Sequence, residues 1–292
     1  MTLHTQNHAT STRQTGQASQ TGQTGKPESH TSAHERGLGI FNTILPDMPD
    51  KLAAALGPIA PDMIRFIIDV AGGEVMPRPG LDLQSREVAT IAALAALGNA
   101  APQLAVHMRG GLASGLAPQQ IVDILYLVAV FAGFPAALNG IAVAREVFAD
   151  KAPDFSPAPE ELTDEERENR GYASLQATSG AAGKAVLEKM RRSVPAMANL
   201  LIRFSYGDVI ARSNLSPAHK EVAMIACCCA RGGMIPQMKV HMHAALNVGM
   251  TQEAILELLV HLAIYAGFPA ALNGIAAAGE VFEQVVLCRI EL

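Results

Sequence analysis

Displaced by 134 residues, the sequence matches itself without a gap from Leu81–Phe148 to Leu215–Phe282, and 33 of those 68 positions are identical. The longest shared block, Ala132-Gly133-Phe134-Pro135-Ala136-Ala137-Leu138-Asn139-Gly140-Ile141-Ala142, returns as Ala266 through Ala276. The same displacement carries Arg36-Gly37 onto Arg170-Gly171, Pro61 onto Pro195, Gly73 onto Gly207 and Arg78 onto Arg212. Whatever one half folds into, the other must fold into as well. The expected organisation is a tail over 1–34, repeat 1 over 35–150, a linker over 151–164 and repeat 2 over 165–292, each repeat having the size of an ordinary domain.

The periodicity within each repeat is helical. Ser216-Pro217-Ala218 precedes an apolar stripe at Val222, Ile225, Ala226 and Cys229, which predicts a capped helix with proline in its first turn. A second helix is expected over 236–247, ending before Gly249. A third opens at Thr251-Gln252-Glu253, and a fourth follows Gly267-Phe268-Pro269. No alternating strand pattern occurs, so the fold class is all-α. The linker is proline-rich and then acidic, and its Thr163 or Asp164 is placed to cap a helix.

Composition removes several classes of function. A net charge of -5 without a basic tract excludes a nucleic-acid footprint. The tail, with three Gln-Thr-Gly units and no apolar run, has no signal-peptide core and reads as disordered. The apolar stretch Ile121–Ala144 is cut by Gly133-Phe134-Pro135 and reads as two buried helices, not a membrane span. Consecutive Cys227, Cys228 and Cys229 exclude a secreted disulfide framework and point to a reducing cytoplasm. Their counterparts Ala93, Leu94 and Ala95 mark them as small core residues.

Candidate chemistry lies in ionisable residues set among apolar ones. Glu221, His241 and His261 are such positions in repeat 2. Glu87 and His107 match the first two in repeat 1, where Leu127 replaces the third. A buried carboxylate needs a partner, and pairing Glu221 with His241 gives either a structural hydrogen bond or a tuned proton-transfer couple. Glu257, His261 and Tyr265 follow at intervals of four and share one helical stripe, whereas their counterparts are Asp123, Leu127 and Phe131. Repeat 1 therefore reads as the retired or respecialised copy. His241 and His243, two apart on a helix, point in different directions, and no metal is expected.

The stretch Arg78-Pro79-Gly80-Leu81-Asp82-Leu83-Gln84-Ser85-Arg86-Glu87, then His107, then Phe131 through Asn139 resembles the carboxymuconolactone decarboxylase family. Leu258 through Pro269 resembles it more closely still. The resemblance spans both repeats and implies two tandem alkyl hydroperoxidase D-like helical domains, commonly assembled as homo-oligomers such as a trimer of fused repeats. Family peroxidases carry a Cys-x-x-Cys pair before the histidine, where this chain has Ala100 and Gln103, or Met234 and Gln237. The resemblance thus implies a cofactor-independent decarboxylase acting on a small carboxylated lactone of the 4-carboxymuconolactone type, in aromatic-compound catabolism. A related lactone or enol isomerase or hydrolase is the alternative, and a thiol peroxidase is disfavoured. It also implies that Arg212 holds a substrate carboxylate, with Arg78 and Arg86 as further substrate-binding candidates. His241 or His261 would deliver a proton, Glu221 would tune a histidine, and Tyr265 would donate to the lactone oxygen.

Overall fold

The computed structural model describes residues 31–290, in which every regular element is helical. The disordered tail expected over 1–34 falls outside the described residues except at its end. There Ser32 and Glu35 form a reciprocal capping box that starts α1 (Ala33–Ile44), so the helix reaches into the expected tail.

Repeat 1 continues with α2 (Met48–Leu56) and α3 (Pro61–Arg65), the latter running into a π-helical stretch, Phe66–Val75. Then come α4 (Leu83–Leu97), α5 (Ala101–Ala113), α6 (Pro118–Ala132) and α7 (Phe134–Lys151). Repeat 2 supplies α8 (Asp164–Ser193), α9 (Pro195–Leu200) with its own π-helical stretch Leu201–Ile210, α10 (Pro217–Arg231), α11 (Ile235–Asn247), α12 (Gln252–Ala266) and α13 (Phe268–Ile290). Helix α8 takes the place of α1 and α2 together. It breaks at Gly180 (φ 51°), where repeat 1 has Pro46.

The helix starts follow local chemistry. Ser216, Thr251 and Thr163 each accept the backbone N–H of the third residue beyond, and Glu166 completes a capping box with Thr163. Caps of this kind contribute about 1 kcal/mol each. Gly133 and Gly267, at φ 90° and 88°, make the break that splits each long apolar stretch into two helices. No helix among the described residues is long and apolar enough to cross a membrane.

The Arg-Gly pairs are explained by backbone contact. A Cβ on Gly37 would stand 2.0 Å from the Ile68 carbonyl oxygen, and one on Gly73 would stand 1.8 Å from that of Ala33. Gly171 and Gly207 repeat the arrangement at 2.1 Å from Ile202 and 2.2 Å from Arg167. In each repeat the first helix and the π-helical stretch thus touch main chain to main chain.

The repeats are continuous in packing. One large hydrophobic core runs through both, with α4 laid against α10, a smaller cluster gathers Leu175, Leu187, Ala198 and Ile202, and the chain from Ser32 onward forms one compact unit. Small residues allow this approach. Residues 85–96 of α4 and 221–229 of α10 are all buried, and the Sγ of Cys227 sits 3.8 Å from the Ala92 carbonyl oxygen. The two repeats therefore share one core. The 151–164 segment is itself fastened down: Phe155 packs edge-on against Phe148, and Glu160 pairs with Arg170 and Arg212.

Candidate active site

Helix α12 does not pack on its own repeat alone. It also lies along α4, just as α6 lies along α10. This crossing decides which candidates meet. Glu87 of α4 accepts a hydrogen bond from Nδ1 of His107 on α5, at 3.0 Å. The ring of His107 stands edge-on to that of Tyr265, centroids 5.1 Å apart and planes at 90°, and Tyr265 comes from repeat 2. Glu87, His107 and Tyr265 together line one cavity of about 570 Å³ between α1, α2, the 66–75 stretch and α5. A carboxylate can only accept, so Nδ1 carries its proton toward Glu87, leaving Nε2 as the ring nitrogen available to a ligand.

Tyr265 remains a donor. Burial of its hydroxyl, with the Glu87 charge nearby, pushes its pKa up, partly offset by the neighbouring Thr90 hydroxyl. Thr90 went unnoticed in the sequence. The signal was a lone hydroxyl in an otherwise apolar stretch, with Met224 as its counterpart.

His261 stands elsewhere. It is 1% exposed, does not line the cavity, and its Nε2 lies 2.8 Å from the Thr90 hydroxyl and 3.1 Å from the Arg86 carbonyl oxygen. That carbonyl requires the proton on Nε2. Burial, then the Arg86 charge, depresses the imidazole pKa to about 3, so His261 is neutral and ties α12 to α4. Its assignment as proton donor is revised accordingly.

Arg78 and Arg212 are likewise committed. Arg78 pairs with Glu257 through two bonds of 2.7 and 2.5 Å, and Arg212 pairs with Asp123 at 3.0 Å while stacking over Tyr126. Both pairs bridge one repeat to the other, and neither arginine lines the cavity. Arg86 is fully buried, donating to the carbonyl oxygens of Leu81 and Arg78, and is also outside the lining. The expectation that Arg212 or Arg78 meets a substrate carboxylate is therefore not carried forward, whereas Arg86 keeps its Nη1 without a hydrogen-bond partner.

The second copy is the altered one. Glu221 accepts from Nδ1 of His241 at 2.9 Å, but the facing stripe is from α6, so Phe131 stands where Tyr265 does and Leu127 where His261 does. The repeat 2 candidates thus divide between two places, Glu221 with His241 at one, and His261 with Tyr265 beside α4 at the other. The stripe of repeat 2 serves the glutamate–histidine pair of repeat 1, because each α6 or α12 crosses to the opposite repeat.

Cys227, Cys228 and Cys229 are buried, and desolvation raises their pKa values, to about 12 for Cys228 and about 11 for Cys229. That is the environment of inert core thiols. His243 points away from His241 to hydrogen-bond Gln284 at 3.1 Å, and no cluster suited to a metal ion occurs among the described residues.

The architecture is thus that of a duplicated all-α protein with a glutamate–histidine pair opening on an apolar cavity. The chain belongs to the carboxymuconolactone decarboxylase family, whose model matches residues 61–146 and 195–280. It is 34% identical to a 4-carboxymuconolactone decarboxylase from Acinetobacter baylyi over 118 residues, covering 40% of this chain and 87% of that protein. Peroxisomal protein 2 of Schizosaccharomyces pombe is 27% identical over 129 residues, 42% of this chain and 58% of that one. A solved structure from Burkholderia xenovorans, provisionally assigned as a gamma-carboxymuconolactone decarboxylase subunit, shares the fold. Its TM-score is 0.52 at 22% identity, covering 81% of this chain and 97% of that one.

Proposed function

We propose that the protein is a cofactor-independent acid–base enzyme, a carbon–carbon lyase of the decarboxylase type, working at Glu87, His107 and Tyr265. The observation that carries this reading is the single cavity lined by an oriented imidazole and a protonated phenol, with Glu87 behind the imidazole. In decarboxylation of an unsaturated lactone, the bond to the departing carboxylate breaks and its electron pair moves through the double bond onto the lactone carbonyl oxygen as CO₂ leaves. Tyr265 donates to that oxygen, and the resulting dienolate takes a proton at carbon from Nε2 of His107, which solvent restores. For that donation Nε2 must carry a proton, and the Glu87 carboxylate at Nδ1 holds the ring in place. The similarity to the Acinetobacter decarboxylase supports the reaction type.

One observation favours a second reading, the related isomerase: no lysine or arginine lines the cavity to meet a substrate carboxylate. Both readings pass through an enolate. The test is CO₂ release from 4-carboxymuconolactone, alongside isomerisation and deuterium exchange of α-angelica lactone in D₂O, without added metal or cofactor. Release supports decarboxylation, and exchange without release supports isomerisation. If a folded protein does neither, the acid–base assignment falls.

Assembly belongs to the same reading. Phe134, Leu138 and Ile141 of α7 are 60%, 62% and 37% exposed, and their equivalents Phe268, Leu272 and Ile275 of α13 are 66%, 60% and 36% exposed. Two matching apolar stripes on one chain suit a ring of chains, with a trimer as the proposed form. Light scattering after chromatography should give three times the chain mass. Leu138→Glu with Leu272→Glu should reduce this to the monomer, and a monomeric wild type would refute the assignment.

A further inference from the structure

The cavity is far more apolar than a carboxylated lactone requires. Beyond Glu87, His107 and Tyr265, its wall is chiefly hydrocarbon and thioether from residues such as Ile40, Phe41, Ile44, Met48, Leu52 and Met63. The charged member of that wall is an acid, Glu87, which disfavours a second anion. Burying a carboxylate there without a cation would be strongly unfavourable. At about 570 Å³, the space lies within the range that encloses a drug-sized ligand.

The repeat supplies an internal comparison. Where repeat 1 has Gly72 in the cavity wall, repeat 2 has Tyr206. The Tyr206 hydroxyl stands near those of Thr178 and Ser179. These two residues are the counterparts of Ile44 and Leu45, both lining the cavity of repeat 1. Tyr206 therefore adds a ring where repeat 1 has none, and the polar side chains near it replace two aliphatic ones. Next to a glutamate–histidine pair of the same geometry, repeat 2 keeps a smaller and more polar cavity of about 410 Å³, lined by Ser174, Thr178, Lys220 and Glu221 among others.

Resting on the acid–base reading above, we infer that the substrate is an enolisable carbonyl compound bearing at most one negative charge and an extended apolar portion. Its carbonyl end meets His107 and Tyr265, and its apolar portion lies between α1, α2 and the 66–75 stretch in the space that Gly72 leaves open.

Binding tests this without turnover. Isothermal titration of the full chain with neutral γ-lactones, from γ-valerolactone to γ-undecalactone, should give a Kd that falls by about fourfold per added methylene. Gly72→Tyr should weaken γ-undecalactone at least tenfold and leave γ-valerolactone within about twofold. Because a Cβ there would sit 3.0 Å from Phe41 and from the Gly37 backbone, Met48→Trp on the partly exposed α2 serves as a second filling variant with the same expected pattern. The His107→Ala protein should keep the chain-length dependence. A Kd independent of chain length, filling variants that bind γ-undecalactone like the wild type, or tighter binding of 4-carboxymuconolactone than of γ-undecalactone would each overturn the inference. A preserved chain-length series in a protein that turns over neither test substrate would support it while removing the proposed chemistry.

Discussion

His107→Ala is expected to lower kcat/KM by a factor on the order of 10² to 10⁴, the contribution of a positioned general acid–base group, while His241→Ala stays within about twofold of the wild type. The two histidines make the same bond to a glutamate, at 3.0 and 2.9 Å, so any difference must come from what faces them. His107 opens on the cavity opposite a phenol, whereas His241 meets the Phe131 ring. Tyr265→Phe reproduces the Phe131 arrangement and should lose about 10² in turnover while keeping the ring packing against His107. The measurement is steady-state turnover of whichever substrate proves active, with circular dichroism confirming the fold. A catalytic His241 and a dispensable His107 would place the chemistry in the other half.

The largest effect on stability is expected from a single methyl group. Gly73→Ala places a Cβ 1.8 Å from the Ala33 carbonyl oxygen, well inside contact distance, and the obstruction is backbone, which cannot rotate aside. The α1 helix must separate from the π-helical stretch, and the loss should exceed about 4 kcal/mol, lowering Tm by on the order of 10 °C. Gly39→Ala is the control. It is an exposed position on the same helix, with nothing within 4 Å of the added atom, and should gain about 0.5–1 kcal/mol from helix propensity. Thermal unfolding of both variants decides the matter, and a Gly73→Ala protein melting with the wild type would show that the close approach has no energetic weight.

Much of this was visible before any coordinates. Helices, their caps at Ser216, Thr251 and Thr163, and the breaks at Gly133 and Gly267 all follow from short-range chemistry that a sequence records directly. The glutamate–histidine pairs could also be read, because a carboxylate in an apolar stripe demands a partner. What could not be read was which stripe faces which pair. Self-alignment shows that Tyr265 is equivalent to Phe131, but equivalence carries no information about contact, and the crossing of α12 onto α4 is a tertiary event. The same gap misplaced Arg78 and Arg212. Their partners Glu257 and Asp123 were in view as matched acids in the two repeats, and a basic pair retained opposite an acidic pair was the available sign of bridges between repeats. The Gly72 and Tyr206 difference was equally available, but only a known cavity gives it meaning.

The crossed arrangement also bears on how such a site can change. If one unfused repeat assembled with copies of itself, every pair would face an identical stripe, and any substitution would appear in all of them at once. Fusion within one chain ends that constraint. Leu127 and Phe131 could appear in α6 without touching His261 and Tyr265 in α12, and Tyr206 could appear in one half while Gly72 stayed in the other. Two half-sites became separately heritable while the core that joins them stayed common to both.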